Sequence, residues 1–245
     1  MFMIHEQTYK GFGIAAILHR RRLRRIFRMF NNMEINDNGQ LGDFGCSNGF
    51  IIALLQERIF KGKDWKFHGF DYDEHLISLA KGRNLQHAEF HFSDFNVVSD
   101  RWDSAFNIVI CFETLEHTGN YRNAVLNLYN SCQVGGKIII TIPNEKGLPG
   151  LLKYIGRKML RKNAYEDFFV GKSELRYIWH LLSDQSIEVF RSPAETGWGP
   201  HLGFDWKLFE KFLHQELMEK GKCRLLSEDN ALLNFNHFYI LEKVQ

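Results

Sequence analysis

From residue 38 onward, short apolar runs alternate with stretches whose apolar residues recur at helical spacing. The run GQLGDFG ends in glycine and opens onto FIIALLQERIF, in which Ile51, Ile52, Leu54, Leu55 and Ile59 share one helical face. KFHGFD reads as a second strand and DEHLISLAKGR as a second helix, with Asp73 placed to cap it. AEFHFSDF alternates as a third strand, the fully apolar FNIVICF is a fourth, and KIIITI, after a turn at Gly135 and Gly136, is a fifth. Continuous apolar strands separated by helices predict a parallel sheet covered on both faces.

The pattern changes after Pro143. Two helical stretches, roughly 147–162 and 173–184, are followed by the turn-rich SPAETGWGPHLGF, so 145–204 reads as an insert on the sheet. DWKLFEKFLHQELMEKG is another helix, and CRLL and HFYILEK are the last strand-like runs, giving a closing unit over 205–245. Residues 1–36 read as an N-terminal helical segment ahead of the sheet half expected at 37–144. In HRRRLRRIFRMF, Leu23, Ile26, Phe27 and Phe30 line one side, while Arg20, Arg21, Arg24, Arg25 and Arg28 gather toward another. Leu148, Leu151, Leu152, Ile155 and Met159 form a second stripe, opposed by Lys153, Arg157 and Arg161. Such helices either pack on the domain with a solvated basic face, or lie on an anionic membrane or hold a phosphorylated substrate.

Composition narrows the reading. With 245 residues, 44% apolar and 24% charged, the chain is long enough to bury a sizeable core. A net charge of +2 gives no bulk attraction for nucleic acid, and no aromatic platform is interleaved with the arginines. Cys46, Cys111, Cys132 and Cys223 lie far apart without a C-x-x-C pair, so no metal site or disulfide framework is expected and a reduced, cytoplasmic chain is the default. The N-terminal apolar run precedes its arginines, the reverse of a secretion signal, and is too short to span a bilayer.

The chemistry concentrates in LGDFGCSNGF, residues 41–50. A strand that ends in glycine and opens onto a helix lets a ligand approach the main chain at a helix N-terminus. Gly49 is followed by Phe50 rather than Lys-Ser/Thr, which excludes the phosphate loop of nucleoside triphosphatases. Ser47 stands between Gly45 and Gly49, so the dinucleotide fingerprint is not met. The stretch resembles the cofactor loop of class I S-adenosylmethionine-dependent methyltransferases, with Ser47 where that family usually has a second glycine. Four further segments follow in that family's order: FHGFD, FSDF, CFETLEH and GGKIIITIPN.

What the resemblance implies is a Rossmann-like, mostly parallel seven-stranded sheet with helices on both faces, an antiparallel C-terminal strand and a helical cap inserted after the fifth strand. It implies S-adenosyl-L-methionine as cofactor, released as S-adenosyl-L-homocysteine, in a site built from Asp43, Gly45, Cys46, Ser47, Gly49, Asp71, Tyr72, Asp94, Phe95, Phe112 and Glu113. Within it Asp71 would accept from the ribose hydroxyls and Asp94 from the adenine amino group. Phe112 stands equally well as core packing, and nothing near Cys46 in sequence would activate it as a nucleophile. The Pro-Pro-aromatic motif of DNA amino-methyltransferases is absent after the fourth strand, where Glu113–His117 stands, as in enzymes acting on small metabolites. The expected acceptor is a small or carrier-linked metabolite, such as a sugar hydroxyl of a bacterial surface glycan. RNA methylation and a non-catalytic interaction module are the rival expectations, and peripheral contact with the inner face of the membrane is a further one. A hydroxyl acceptor profits from a base, for which His117 and His201 compete.

Overall fold

The structure, a computed structural model, describes residues 14–160, 172–191, 202–229 and 234–245. Helix α1 (Ile14–Asn31) is followed by β1 (Asn38–Phe44), α2 (Phe50–Arg58), β2 (Asp64–Asp71), α3 (Glu74–Lys81), β3 (Ala88–Phe92) and β4 (Phe106–Phe112). Then come α4 (Tyr121–Ser131), β5 (Cys132–Pro143), α5 (Gly147–Leu160), α6 (Glu174–Leu182), α7 (Trp206–Leu213), β6 (Cys223–Asp229) and β7 (Asn236–Lys243). The sheet has seven strands in the order β3-β2-β1-β4-β5-β7-β6. Strands β1 to β5 are parallel, and β7 lies antiparallel between β5 and β6. Because the chain leaves β1 toward β2 on one side and later returns to pair β4 on the other, a crevice opens at the carboxyl ends of β1 and β4, where open α/β sheets bind ligands.

Local chemistry starts the helices where the sequence places them. Asp73 accepts from the amides of His75 and Leu76 at the head of α3. Asn120, Ser173 and Asp205 do the same for α4, α6 and α7. Two apolar layers sandwich the sheet. Ile26 and Phe30 of α1 join Leu41, Ile52, Leu55 and Ile77 on one face, and Leu128, Phe209 and Leu213 cover Phe106 and Ile140 on the other. The apolar side of the arginine-rich helix is therefore seated on the sheet domain. The stripe on α5 behaves differently, for Leu148, Leu152, Ile155 and Met159 are exposed while Tyr154 turns inward.

Three local details differ from the sequence pattern. Gly135 and Gly136 lie within β5, where the register against β4 shifts between Phe106 and Ile108, so they form an irregularity in a longer strand rather than a turn before it. The helix expected after Asp205 runs on to Met218, α-helical to Leu213 and π-helical over His214–Met218. Helix α4 escapes a periodic reading, since buried Asn127 and Ser131 interrupt its stripe of Tyr121, Ala124, Val125 and Leu128.

Between β5 and α7, Tyr154, Tyr177, Leu181, Ile187, Phe190 and Leu202 form a small core of their own. It is tied to the sheet by Lys146 Nζ, 3.4 Å from Asp205 Oδ2, with the two side chains 5% and 2% exposed. Asp205 also accepts from the amides of Ile187 (3.3 Å) and Lys207 (3.1 Å). Breaking a buried pair by neutralising one partner typically costs about 3 kcal/mol or more. Asp205→Asn should lower unfolding stability by about that amount, measured by urea denaturation.

Candidate functional site

The turn after β1 is forced by backbone geometry. Gly45 (φ 93°) and Gly49 (φ 74°) occupy the left-handed region, and a β-carbon on Gly45 would run into the Thr114 side chain. Ser47 adopts φ 50° as well, a conformation that costs an ordinary residue roughly 1 kcal/mol. Its amide donates to Asp71 Oδ2 at 2.8 Å, and the amide of Asp73 donates to Asp71 Oδ1 at 3.0 Å. A charge-assisted bond of that kind offsets the strain. The amides of Gly45 and Cys46 donate to Phe70 O at 2.8 and 2.9 Å, so the whole turn is stitched to the end of β2. Gly49 caps α2 without a side chain, leaving the helix N-terminus to face the cleft through Phe50 and Ile51.

Asp43, Asn48 and Phe112 line this cleft, and Arg22 and Ile26 of α1 close its far side. Asp43 Oδ2 and Asn48 Oδ1 are buried without a hydrogen-bond partner. Burial, and after it the neighbouring Asp71, pushes the Asp43 carboxyl up to about 8. Two unsatisfied acceptors in one wall suit a ligand carrying a cationic donor, whose charge would restore the ionised carboxylate.

The other lip is the segment after β4. Glu113 (φ 53°) accepts from Thr141 Oγ1 at 3.2 Å and Asn236 Nδ2 at 2.8 Å. Its Oε2 also meets Arg22 Nη1 at 3.1 Å, with the two side chains 12% and 5% exposed. The 3-10 turn Leu115–His117 follows. Glu116 is buried, and burial followed by the charge of Glu113 drives its carboxyl well above the ordinary range. His117 Nε2 lies 4.0 Å from Glu116 Oε1, with its side chain 37% exposed. Arg191, reaching in from the inserted segment, donates through Nη2 to the carbonyls of Leu115 (3.4 Å), Glu116 (3.2 Å) and Thr118. Its guanidinium lies over Tyr121 and Phe204, at 5.5 and 5.1 Å from the ring centroids.

Most of the residues singled out in the sequence come together around these two turns. Tyr72 is exposed beside Phe92, ring centroids 5.7 Å apart, at the ends of β2 and β3. Asp94 closes a turn by accepting from the amide and side chain of Asn96 at 3.0 and 2.8 Å. Phe95 is placed differently: it is 2% exposed and packs on Phe44 at 5.4 Å, in the core below the cleft rather than on its wall. Cys46 is buried, and burial lifts its thiol well above the usual range, as suits a space-filling residue. His201 and Arg161 lie outside the described residues. Sequence reasoning missed Arg22 and Arg191. Arg22 had a signal, since it stands four residues before Ile26 and eight before Phe30 on the buried stripe. Arg191 had none, because its partners are main-chain carbonyls more than seventy residues away.

A family model described as a methyltransferase domain matches residues 17–193. The ubiquinone biosynthesis O-methyltransferase of Rickettsia prowazekii is 26% identical over 187 residues, covering 72% of this chain and 71% of its own. The putative methyltransferase YrhH of Bacillus subtilis is 24% identical over 49% of this chain and 66% of its own. A S-adenosylmethionine-dependent methyltransferase from Aquifex aeolicus shares the fold, with a TM-score of 0.54 at 12% identity over 90% of this chain and 89% of its own.

The environment of Asp43 sets a pH dependence. Its pKa of about 8 in the fold exceeds the ordinary carboxylate value, so the folded protein retains a proton that the unfolded chain has released. The stabilising effect is complete below the ordinary carboxylate pKa and is lost as pH rises through about 8. Between about pH 6 and 8 the ligand-free protein should lose on the order of 1 kcal/mol per pH unit from this group. Asp43→Asn should flatten that slope in denaturant unfolding, and parallel slopes for the two proteins would show the carboxyl to be ionised in the fold.

Proposed function

Since the chain belongs to the class I S-adenosylmethionine-dependent methyltransferases, we propose that it transfers a methyl group to a hydroxyl oxygen of a small or carrier-linked metabolite. The cofactor supplies a sulfonium-bound methyl already activated for displacement, which leaves the protein to bind, orient and exclude water. The unpartnered Asp43 Oδ2 and Asn48 Oδ1 suit its cationic methionine end. The bare turn of Gly45, Cys46, Ser47 and Gly49 receives it along the main chain. Asp71, fastened by the amides of Ser47 and Asp73, keeps acceptor capacity at the end of β2 for the ribose hydroxyls. Asp94 and the exposed ring of Tyr72 flank the adenine. Phe112 forms the floor, and Glu113, engaged by Arg22, fixes the lip rather than offering a free carboxylate. Phe95 supports the turn from the core.

One observation carries the acceptor reading: His117, partly exposed, stands on a turn at the carboxyl end of β4 that the inserted segment itself fastens through Arg191. In that position its imidazole can take the proton of an acceptor hydroxyl as the methyl is transferred. The related proteins named O-methyltransferases support an oxygen acceptor. The exposed apolar residues of α5 and α6, among them Leu152, Leu175 and Trp179, favour an acceptor with an apolar body or carrier. A sugar hydroxyl on such a carrier meets the same requirements.

Incubating the protein with methyl-labelled cofactor and a cell extract, then separating lipid, small-molecule, nucleic-acid and protein fractions, tests the acceptor class. Alkali-stable label in the first two fractions is the expected result. Label in RNA or protein would overturn it. Hydrogen bonds to charged groups are worth about 1.5 to 3 kcal/mol, so Asp71→Ala should weaken cofactor binding by about tenfold or more in calorimetry. His117→Ala should lower turnover by about a hundredfold with cofactor affinity nearly unchanged, and should remove a limb of the pH profile near neutrality. The same loss confined to His201→Ala would move the base to that position.

A further inference from the structure

Away from the cleft, β2 and β3 bring three metal-ligating side chains to one face of the sheet edge. His68 is the register partner of Glu89, and His91 follows two residues later on β3, so the three lie side by side. His68 Nδ1 is 3.4 Å from His91 Nε2, and Glu89 Oε2 is 4.0 Å from the former and 3.7 Å from the latter. The rings are inclined by only 13° with centroids 5.7 Å apart, so they meet through their nitrogen edges rather than face to face.

We propose that His68, His91 and Glu89 form a site for a divalent transition-metal ion of the zinc type, cross-linking the edge strand β3 to β2. A tetrahedral ion with bonds of about 2.0 to 2.1 Å holds its donor atoms roughly 3.3 Å apart, which is the spacing of the two imidazole nitrogens. Glu89 needs to close by only a few tenths of an ångström, and its side chain, 69% exposed, is free to turn. Two imidazoles and a carboxylate, with the fourth position toward solvent, are a donor set that suits zinc and its cobalt and nickel surrogates. Trp102 lies 5.1 Å from the His68 ring and 5.0 Å from the His91 ring and walls the site on its inner side. The cysteine spacing that argued against metal says nothing of this site, because its ligands are joined by strand pairing and not by sequence motif. The bland alternative is a lone hydrogen bond between the two rings.

Chelator-treated full-length protein would be titrated with Zn2+ by calorimetry and with Co2+ by visible absorption. The expected result is one tight equivalent, with intense absorption bands of a four-coordinate Co2+ ion and a raised melting temperature on adding zinc. The double variant His68→Gln/His91→Gln should bind at least about tenfold more weakly. Should it fail to fold, Glu89→Gln at the exposed position should still weaken binding about tenfold and alter the Co2+ spectrum. Wild-type binding no tighter than that of these folded variants would overturn the proposal. So would loss of the bound equivalent in His214→Gln instead, since His214 lies in the other described cluster of metal-ligating groups, with Glu210 and Glu228.

Discussion

The carboxylate of Glu113 is the point on which four elements converge. It stands just past the end of β4 and receives Thr141 from β5, Asn236 from β7 and Arg22 from α1. Such a charge is tolerable in a nearly dry place only because its acceptor sites are filled, and removing one partner of a buried pair of this kind usually costs several kcal/mol. The arrangement fixes where β4 ends and holds Glu113 in its left-handed conformation. It also anchors α1 across the mouth of the cleft. Ile26 and Phe30 supply the adhesion of that helix, and Arg22 supplies its register.

Asp43 and Asp71 show how one wall can hold two carboxylates for different purposes. Asp71 is engaged by two amides and keeps the strained turn in place. Asp43 has a buried oxygen with no partner, and burial favours its neutral form. The first is part of the scaffold as it stands. The second keeps an acceptor that a cationic donor would satisfy. A deficit of this kind, left in the fold, favours a positively charged ligand as much as contacts built for the purpose would.

The strands and helices around the cleft were legible because apolar runs and caps are local signals, as at Ile108–Cys111 and at Asp73. The glycine turn was legible because only glycine tolerates what the backbone does at Gly45 and Gly49. Where the sequence was read less well, the cause was competition between local pattern and tertiary context. Buried Asn127 bonds the carbonyls of Phe95 and Val97, so the polar residue that blurred the α4 pattern serves a loop on the same side of the sheet. The aromatic side chain of Phe95 could have faced ligand or core, and packing on Phe44 decided it. His68 and His91 are separated by an entire helix in sequence and become neighbours only through the β2–β3 register.

The reach of Arg191 carries a lesson for anyone re-engineering this scaffold. One guanidinium from the inserted segment holds three carbonyls around the His117 turn, so the insert and the turn after β4 are mechanically one piece. Grafting a foreign insert onto this sheet would therefore loosen the turn after β4 unless a guanidinium were transplanted to the same spot. The insert and the turn it fastens are parts of this scaffold that have to be inherited together.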